Sequence, residues 1–144
     1  MKFKFLILAV VCAAFAVGCC ACKKARKEAK PFTGTVWHLV QIGGTDVSLP
    51  ADTFNITFSD EGRVSGIGAC NRLTGTYTVT DKRKLDVGPV GMTMMLCPKN
   101  DAYERQLGRI LEESTHYDID KDVLVLLENG TVKALFKATT EKTE

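Results

Sequence analysis

Sulfur is the chemistry this chain offers first. Arg63-Val-Ser-Gly-Ile-Gly-Ala-Cys-Asn-Arg-Leu-Thr-Gly-Thr-Tyr77 contains Cys70, and Met92-Thr-Met-Met-Leu-Cys-Pro98 contains Cys97. Two thiols can bond to each other, and thioether or thiolate sulfur also suits Cu(I). Met92, Met94, Met95 and Cys97 are dense enough to raise the second reading. Strand alternation, however, sends Met94 to the face opposite Met95 and Cys97, and neither His38 nor His116 is near in sequence. Core packing ahead of a helix explains these residues more simply, so no metal or other cofactor is expected.

Other chemistries find less support. A phosphate loop needs its glycines to open a helix whose amides face the anion. Gly66-Ile67-Gly68 instead precedes a strand pattern at 74–80 and lacks the accompanying lysine, which favours a tight turn or bulge. Asn71 suits such a turn because its side chain bonds nearby backbone. Arg72 reads as a solvated charge or as a partner-recognition group. Ser59, Ser65 and Ser114 have no histidine at a spacing that marks a general base, so a hydrolase would need a triad assembled by the fold. Asp118, Asp120 and Asp122 alternate, but the glycine and terminal glutamate of a calcium loop are missing; they read as a solvent-facing strand edge. The expectation is a protein that is not an enzyme.

The N-terminus says where the chain goes. Lys2 and Lys4 precede an apolar run from Phe5 to Val17, and Ala16-Val-Gly-Cys19 follows. That run falls short of the roughly 20 apolar residues that cross a bilayer, and reads as a secretory signal over 1–18. A small residue before a cysteine at its end resembles a bacterial lipoprotein box, with Cys19 as the acylated residue. Cys20 and Cys22 compete for that role, and an ordinary cleaved signal is the remaining alternative. Acyl chains such as palmitate on Cys19 would supply the two or more chains that stable membrane anchoring needs.

Charge divides the rest. The expected tether, 19–33, carries Lys23, Lys24, Arg26, Lys27 and Lys30 against Glu28 alone, whereas from Phe32 onward 12 basic residues face 16 acidic ones. A basic stalk near anionic headgroups beneath a mildly acidic globule fits that asymmetry. No basic and aromatic cluster marks the globule, so nucleic acid is not an expected partner.

The elements that position these groups are mostly short strands. Val36 to Ile42 is β-branched and aromatic, and Phe54, Ile56 and Phe58 alternate with Asn55 and Thr57. Ser59-Asp-Glu-Gly62 turns into Arg63 to Ser65. Thr76 to Thr80 places Tyr77 and Val79 on one face, and Lys84 to Val87 is a further strand. Val123 to Leu127 and Thr131 to Lys137 flank Asn129-Gly130, the signature of a type I′ hairpin turn. One helix interrupts them: Tyr103, Leu107, Ile110 and Leu111 form an apolar stripe, and Asp101 with Glu104 predicts a capping box. Gly108 within it costs about 1 kcal/mol relative to alanine, which predicts close approach of a strand. The closing 139–144 is polar and expected to be disordered.

With these residues in place, the segment 34–138 resembles the META domain (HslJ-like) family, the module of heat-inducible lipoproteins. The matching residues are Trp37, Leu39, Gly66, Cys70, Asn71, Gly75, Tyr77, Thr93, Met95, Cys97, Glu104, Leu124, Leu126 and Phe136. Of these Gly66, Asn71, Gly75, Tyr77, Thr93 and Met95, with Arg72 beside them, form the candidate recognition or structural motif. Ala69 departs from the glycine more usual before the cysteine, and Gly68 is expected to take over the flexible position. The resemblance implies an α+β, mostly β fold: a curved antiparallel sheet or partly open barrel packed on one α-helix, similar in outline to pilotin lipoproteins. It also implies a non-catalytic role in stress tolerance or envelope processes, at the outer membrane facing the periplasm.

Export puts Cys70 and Cys97 in an oxidising compartment, where a disulfide is expected; buried free thiols acting as small hydrophobes are the alternative. Two roles remain for the domain. One is binding an envelope protein partner. The other is carrying a lipid or small apolar ligand in a cavity lined by Phe54, Phe58, Tyr77, Leu107 and Phe136, which a filled core would disfavour.

Overall fold

Alternation in the first predicted strand sets the direction of the core. Trp37 and Leu39 are fully buried while Val36, His38 and Val40 are half-buried on the other face. A bulge at Val40 then shifts the register, so that Ile42 rather than Gln41 points inward. The computed structural model describes residues 29–139; the leader 1–18, Cys19, Cys20, Cys22, most of the tether and 140–144 lie outside the described residues.

In chain order the elements are β1 (Val36–Ile42), β2 (Thr45–Asp46), β3 (Asn55–Phe58), β4 (Arg63–Ile67), β5 (Arg72–Val79), β6 (Leu85–Val87) and β7 (Gly91–Met92). There follow α1 (Asp101–Glu113), β8 (His116–Asp120), β9 (Val123–Glu128) and β10 (Thr131–Ala138). The sheet runs β6-β5-β4-β3-β1-β10-β9-β8, with β2 paired to β1 and β7 to β5. All of these strand pairs are antiparallel. Its terminal strands meet at one bridge, Lys84 with His116, so the sheet curls back on itself without closing into a continuous barrel.

Helix α1 packs into the curl through Leu107, Ile110 and Leu111, which join Trp37, Phe58, Leu124, Leu126 and Phe136 in one buried cluster. The predicted β9–β10 turn is present, with Asn129 at φ 49° and Gly130 at φ 85°. Beside Gly108 the close approach comes from the Met92 side chain, whose Cε would lie 3.1 Å from an added Cβ. Tyr77 is buried, but Val79 on the same face of β5 is exposed, because the strand runs past the edge of the core.

The capping box does not form. Asn100, not Asp101, caps α1, in a left-handed conformation at φ 63° and with no side-chain hydrogen bond. Asp101 is already helical and pairs with Arg105, one turn on. Glu104 therefore lies too far into the helix to cap it, and its carboxylate turns into the loop between β4 and β5.

At the other end of the domain, the chain enters through Phe32. Its ring stacks on Phe58 and Tyr117, with centroids 4.2 and 4.1 Å apart, and its carbonyl accepts the Trp37 indole N–H at 3.1 Å. The last residues of the basic segment thus pack with the domain.

Candidate functional site

Glu104 is the anchor of the site. Spaced three and seven residues before Leu107 and Leu111, it occupies the buried stripe of α1 and is only 3 % exposed. A carboxylate so placed must find donors, and the β4–β5 turn supplies them. Backbone N–H groups of Cys70 and Asn71 donate to Oε2 at 3.1 and 3.0 Å, and Asn71 Nδ2 donates to Oε1 at 2.7 Å. Burial alone would raise the carboxyl pKa; bonds from the Asn71 side chain and from the backbone of Asn71, Cys70 and Ala69 outweigh it and hold the value below the usual range.

Asn71 carries the connection onward. Its Nδ2 also donates to the Met95 carbonyl at 3.0 Å, while its Oδ1 accepts from Met95 N–H at 2.7 Å and from the Thr93 hydroxyl at 2.8 Å. Thr93 in turn clamps Arg72: its Oγ1 accepts the Arg72 N–H, and its own N–H donates to the Arg72 carbonyl, both at 3.0 Å. Cys70 and Cys97 are joined by a disulfide across 27 positions, with Cα atoms 5.7 Å apart. The loop 93–97 is thus pinned through hydroxyl, amide and sulfur.

What the pinning displays is apolar. Met94 and Leu96 are 95 % and 99 % exposed, and Met95 is 58 % exposed. This corrects the expectation of core packing for the methionine run: Met92 alone of the three methionines packs against the core, because the loop leaves the sheet after β7. Outward-pointing side chains on an otherwise over-determined loop are not a folding requirement.

The two glycines before the turn make room for this arrangement. A Cβ on Gly66 would sit 2.2 Å from the Asn55 carbonyl oxygen, and one on Gly68 would sit 2.5 Å from the Glu104 carboxylate. Neither Gly68 nor Ala69 has a positive φ, so Gly68 serves space, not the backbone freedom expected of it. The structure therefore gathers Gly66, Cys70, Asn71, Arg72, Thr93, Met95 and Cys97 in one place. It separates Gly75 and Tyr77, which lie farther along β5. A Cβ on Gly75 would lie 3.4 Å from Val64, Pro89 and Val90, and the Tyr77 hydroxyl donates to the Ser59 carbonyl at 2.6 Å, securing the β3–β4 turn. Sequence reading missed Glu104 as a site residue; a carboxylate on the apolar stripe of a helix was the available signal.

A family model, the META domain, matches residues 30–141. The chain belongs to the META domain family. Solved structures agree on the fold of this META domain. An NMR structure of a protein from Burkholderia xenovorans is 24 % identical with TM-score 0.59, covering 76 % of this chain and 85 % of that one. A second NMR structure is 21 % identical with TM-score 0.59, over 74 % and 90 % of the two chains. The crystal structure of a DUF4847 family protein from Bacteroides vulgatus is 20 % identical with TM-score 0.52, over 78 % and 96 %. No curated protein matches the chain.

Phe54, Phe58, Leu107 and Phe136 are fully buried and Tyr77 nearly so, in one packed cluster, so the residues expected to line an apolar cavity form the core itself. Asp118 pairs with Arg83, and Asp122 approaches Lys137 at 3.8 Å; among the described residues no group of three or more His, Cys, Asp or Glu side chains is arranged to hold a metal. An open groove of about 780 Å³ lies on the outward side of β3, β4, β5 and β7, beside the loop and outside the core.

Proposed function

We propose that this META domain is a non-catalytic part of a bacterial envelope lipoprotein, anchored through acylated Cys19 at the outer membrane, and that it acts in stress or envelope maintenance by binding a protein partner through residues 94–96. The observation that supports the reading is the exposed Met94-Met95-Leu96 tip held by Asn71, Glu104 and the Cys70–Cys97 bridge. Methionine and leucine on a fixed loop offer adaptable apolar contact with little ordering left to do on binding.

Placement of the tip adds support. Strand β3 begins with Asn55, beside the β4–β5 turn and the tip, and ends with Phe58, where Thr33 and Gly34 bring in the N-terminal segment. Tip and entering chain lie at opposite ends of the same hairpin. A chain held to lipid through its N-terminus would present the tip away from the point of attachment.

A photocrosslinking residue at position 96 of the full-length protein tests this in cells. A discrete adduct with an envelope protein is expected, lost when Met94 and Met95 are both replaced by serine. The reading fails if position 96 yields only the adducts obtained from an exposed position remote from the tip, such as Lys82.

A further inference from the structure

We infer that the outward groove is a binding site for a small amphiphilic anion, whose carboxylate or phosphate is held by Arg72 and whose apolar part lies over Ile67. This goes beyond the partner reading and rests on other side chains. Antiparallel register builds the site from two cross-strand rows. Thr57, Ser65 and Thr74 stand opposite one another on β3, β4 and β5, and Ile67 stands opposite Arg72 on the neighbouring row. All five line the groove. Strands about 4.8 Å apart set the three hydroxyls at a spacing a ligand of a few heavy atoms can follow.

Arg72 has the features of a recognition group. Its backbone is fixed on both sides by Thr93, so the side chain starts from an immobile base. Among the described residues its guanidinium enters no salt bridge, whereas Arg83 and Arg105 are each paired with an aspartate. A planar guanidinium matches carboxylate or phosphate oxygens in a two-point contact. Asp52 is the single carboxylate in the lining and opposes anion binding from the rim. The volume falls within the range of small-molecule sites, and the lining mixes a few polar groups with apolar surface as such sites do.

Titration of the isotope-labelled full chain, in a neutral detergent, with hexanoate, hexyl phosphate and hexanol tests the site by amide chemical shifts. Saturable shifts at Ser65, Ile67, Arg72 and Thr74 are expected with hexanoate or hexyl phosphate, and whichever binds more tightly identifies the anion class. Hexanol should bind at least about tenfold more weakly, Arg72→Gln should weaken the anion by about tenfold, and Asp52→Asn should strengthen it. The proposal is overturned if neither anion gives saturable shifts there, if hexanol does as well, or if Arg72→Gln leaves the affinity unchanged. Serine substitutions at Met94 and Met95 leave these shifts in place, so failure of the tip reading and failure of this one are distinguishable.

Discussion

The side-chain amide of Asn71 pairs with the backbone of Met95 as a second peptide group would, donating to its carbonyl at 3.0 Å and accepting from its N–H at 2.7 Å. A loop that could not otherwise join the sheet is hydrogen-bonded as though it had.

Replacing Asn71 by Asp keeps the shape and removes the donor. An anion then faces the Glu104 carboxylate and the Met95 carbonyl, and both lose the donor that the Asn71 side-chain amide supplied. Hydrogen bonds to charged groups contribute about 1.5 to 3 kcal/mol, and chemical denaturation should show a loss of about 3 kcal/mol. Amide exchange in 93–97 should accelerate more than exchange in β9 and β10. Equal acceleration across the sheet would contradict the role assigned to Asn71.

Glu104 makes stability depend on acid. Its pKa in the folded protein lies below the ordinary value of 4.5 because the hydrogen bonds from Asn71 and the turn outweigh burial. The unfolded chain thus takes up this proton at higher pH than the folded one, and the stabilisation is present above pH 4.5 and lost as pH falls through the folded value. Glu104→Gln should flatten that part of the stability profile. At pH 7 it should also cost about 2 to 4 kcal/mol, since the new amide turns donors toward the donors of the turn. An unchanged acid limb in the variant would show that other carboxylates govern it.

The bridge between Cys70 and Cys97 closes a loop spanning 27 positions. Its removal in the double serine variant should lower stability by roughly 3 to 4 kcal/mol by loop-entropy reasoning. Adding dithiothreitol to the native protein should reproduce the drop, and adding it to the variant should do nothing. A variant that melts with the oxidised native protein would remove the bridge as a stabilising element.

Gly66 and Gly91 offer a matched pair. Alanine at 66 forces its methyl to within 2.2 Å of the Asn55 carbonyl, so β3 and β4 must part, at about 3 kcal/mol. Alanine at 91 meets nothing nearer than Thr74 O at 3.7 Å, an ordinary contact, and should change stability by less than about 1 kcal/mol. Comparable thermal midpoints for the two variants would refute the close approach at Gly66.

Several elements were legible because their determinants are local. Val36–Ile42 and the hairpin on Asn129-Gly130 follow from alternation and from turn residues that accept positive φ. The capping box misled because the same Asp101 and Glu104 spacing serves two geometries. Only the buried turn, with two backbone N–H groups and the Asn71 amide directed at the carboxylate, draws it away from the helix end. Met94, Met95 and Leu96 misled for the converse reason: hydrophobicity predicts burial on average, and a loop pinned from beneath escapes that average.

By itself the sequence determined the alternation, the helix stripe, the turn and the two cysteines, all written in neighbouring residues and in the physics of a short stretch of chain. Tertiary structure decided that Glu104, Asn71, Thr93 and Met95 form one bonded set, that the methionine tip faces outward, and that Arg72, in no salt bridge among the described residues, stands beside a groove. Those relations join residues 21 to 34 positions apart, and hydrogen-bond satisfaction across such distances is settled only when sheet register and helix docking bring the partners together.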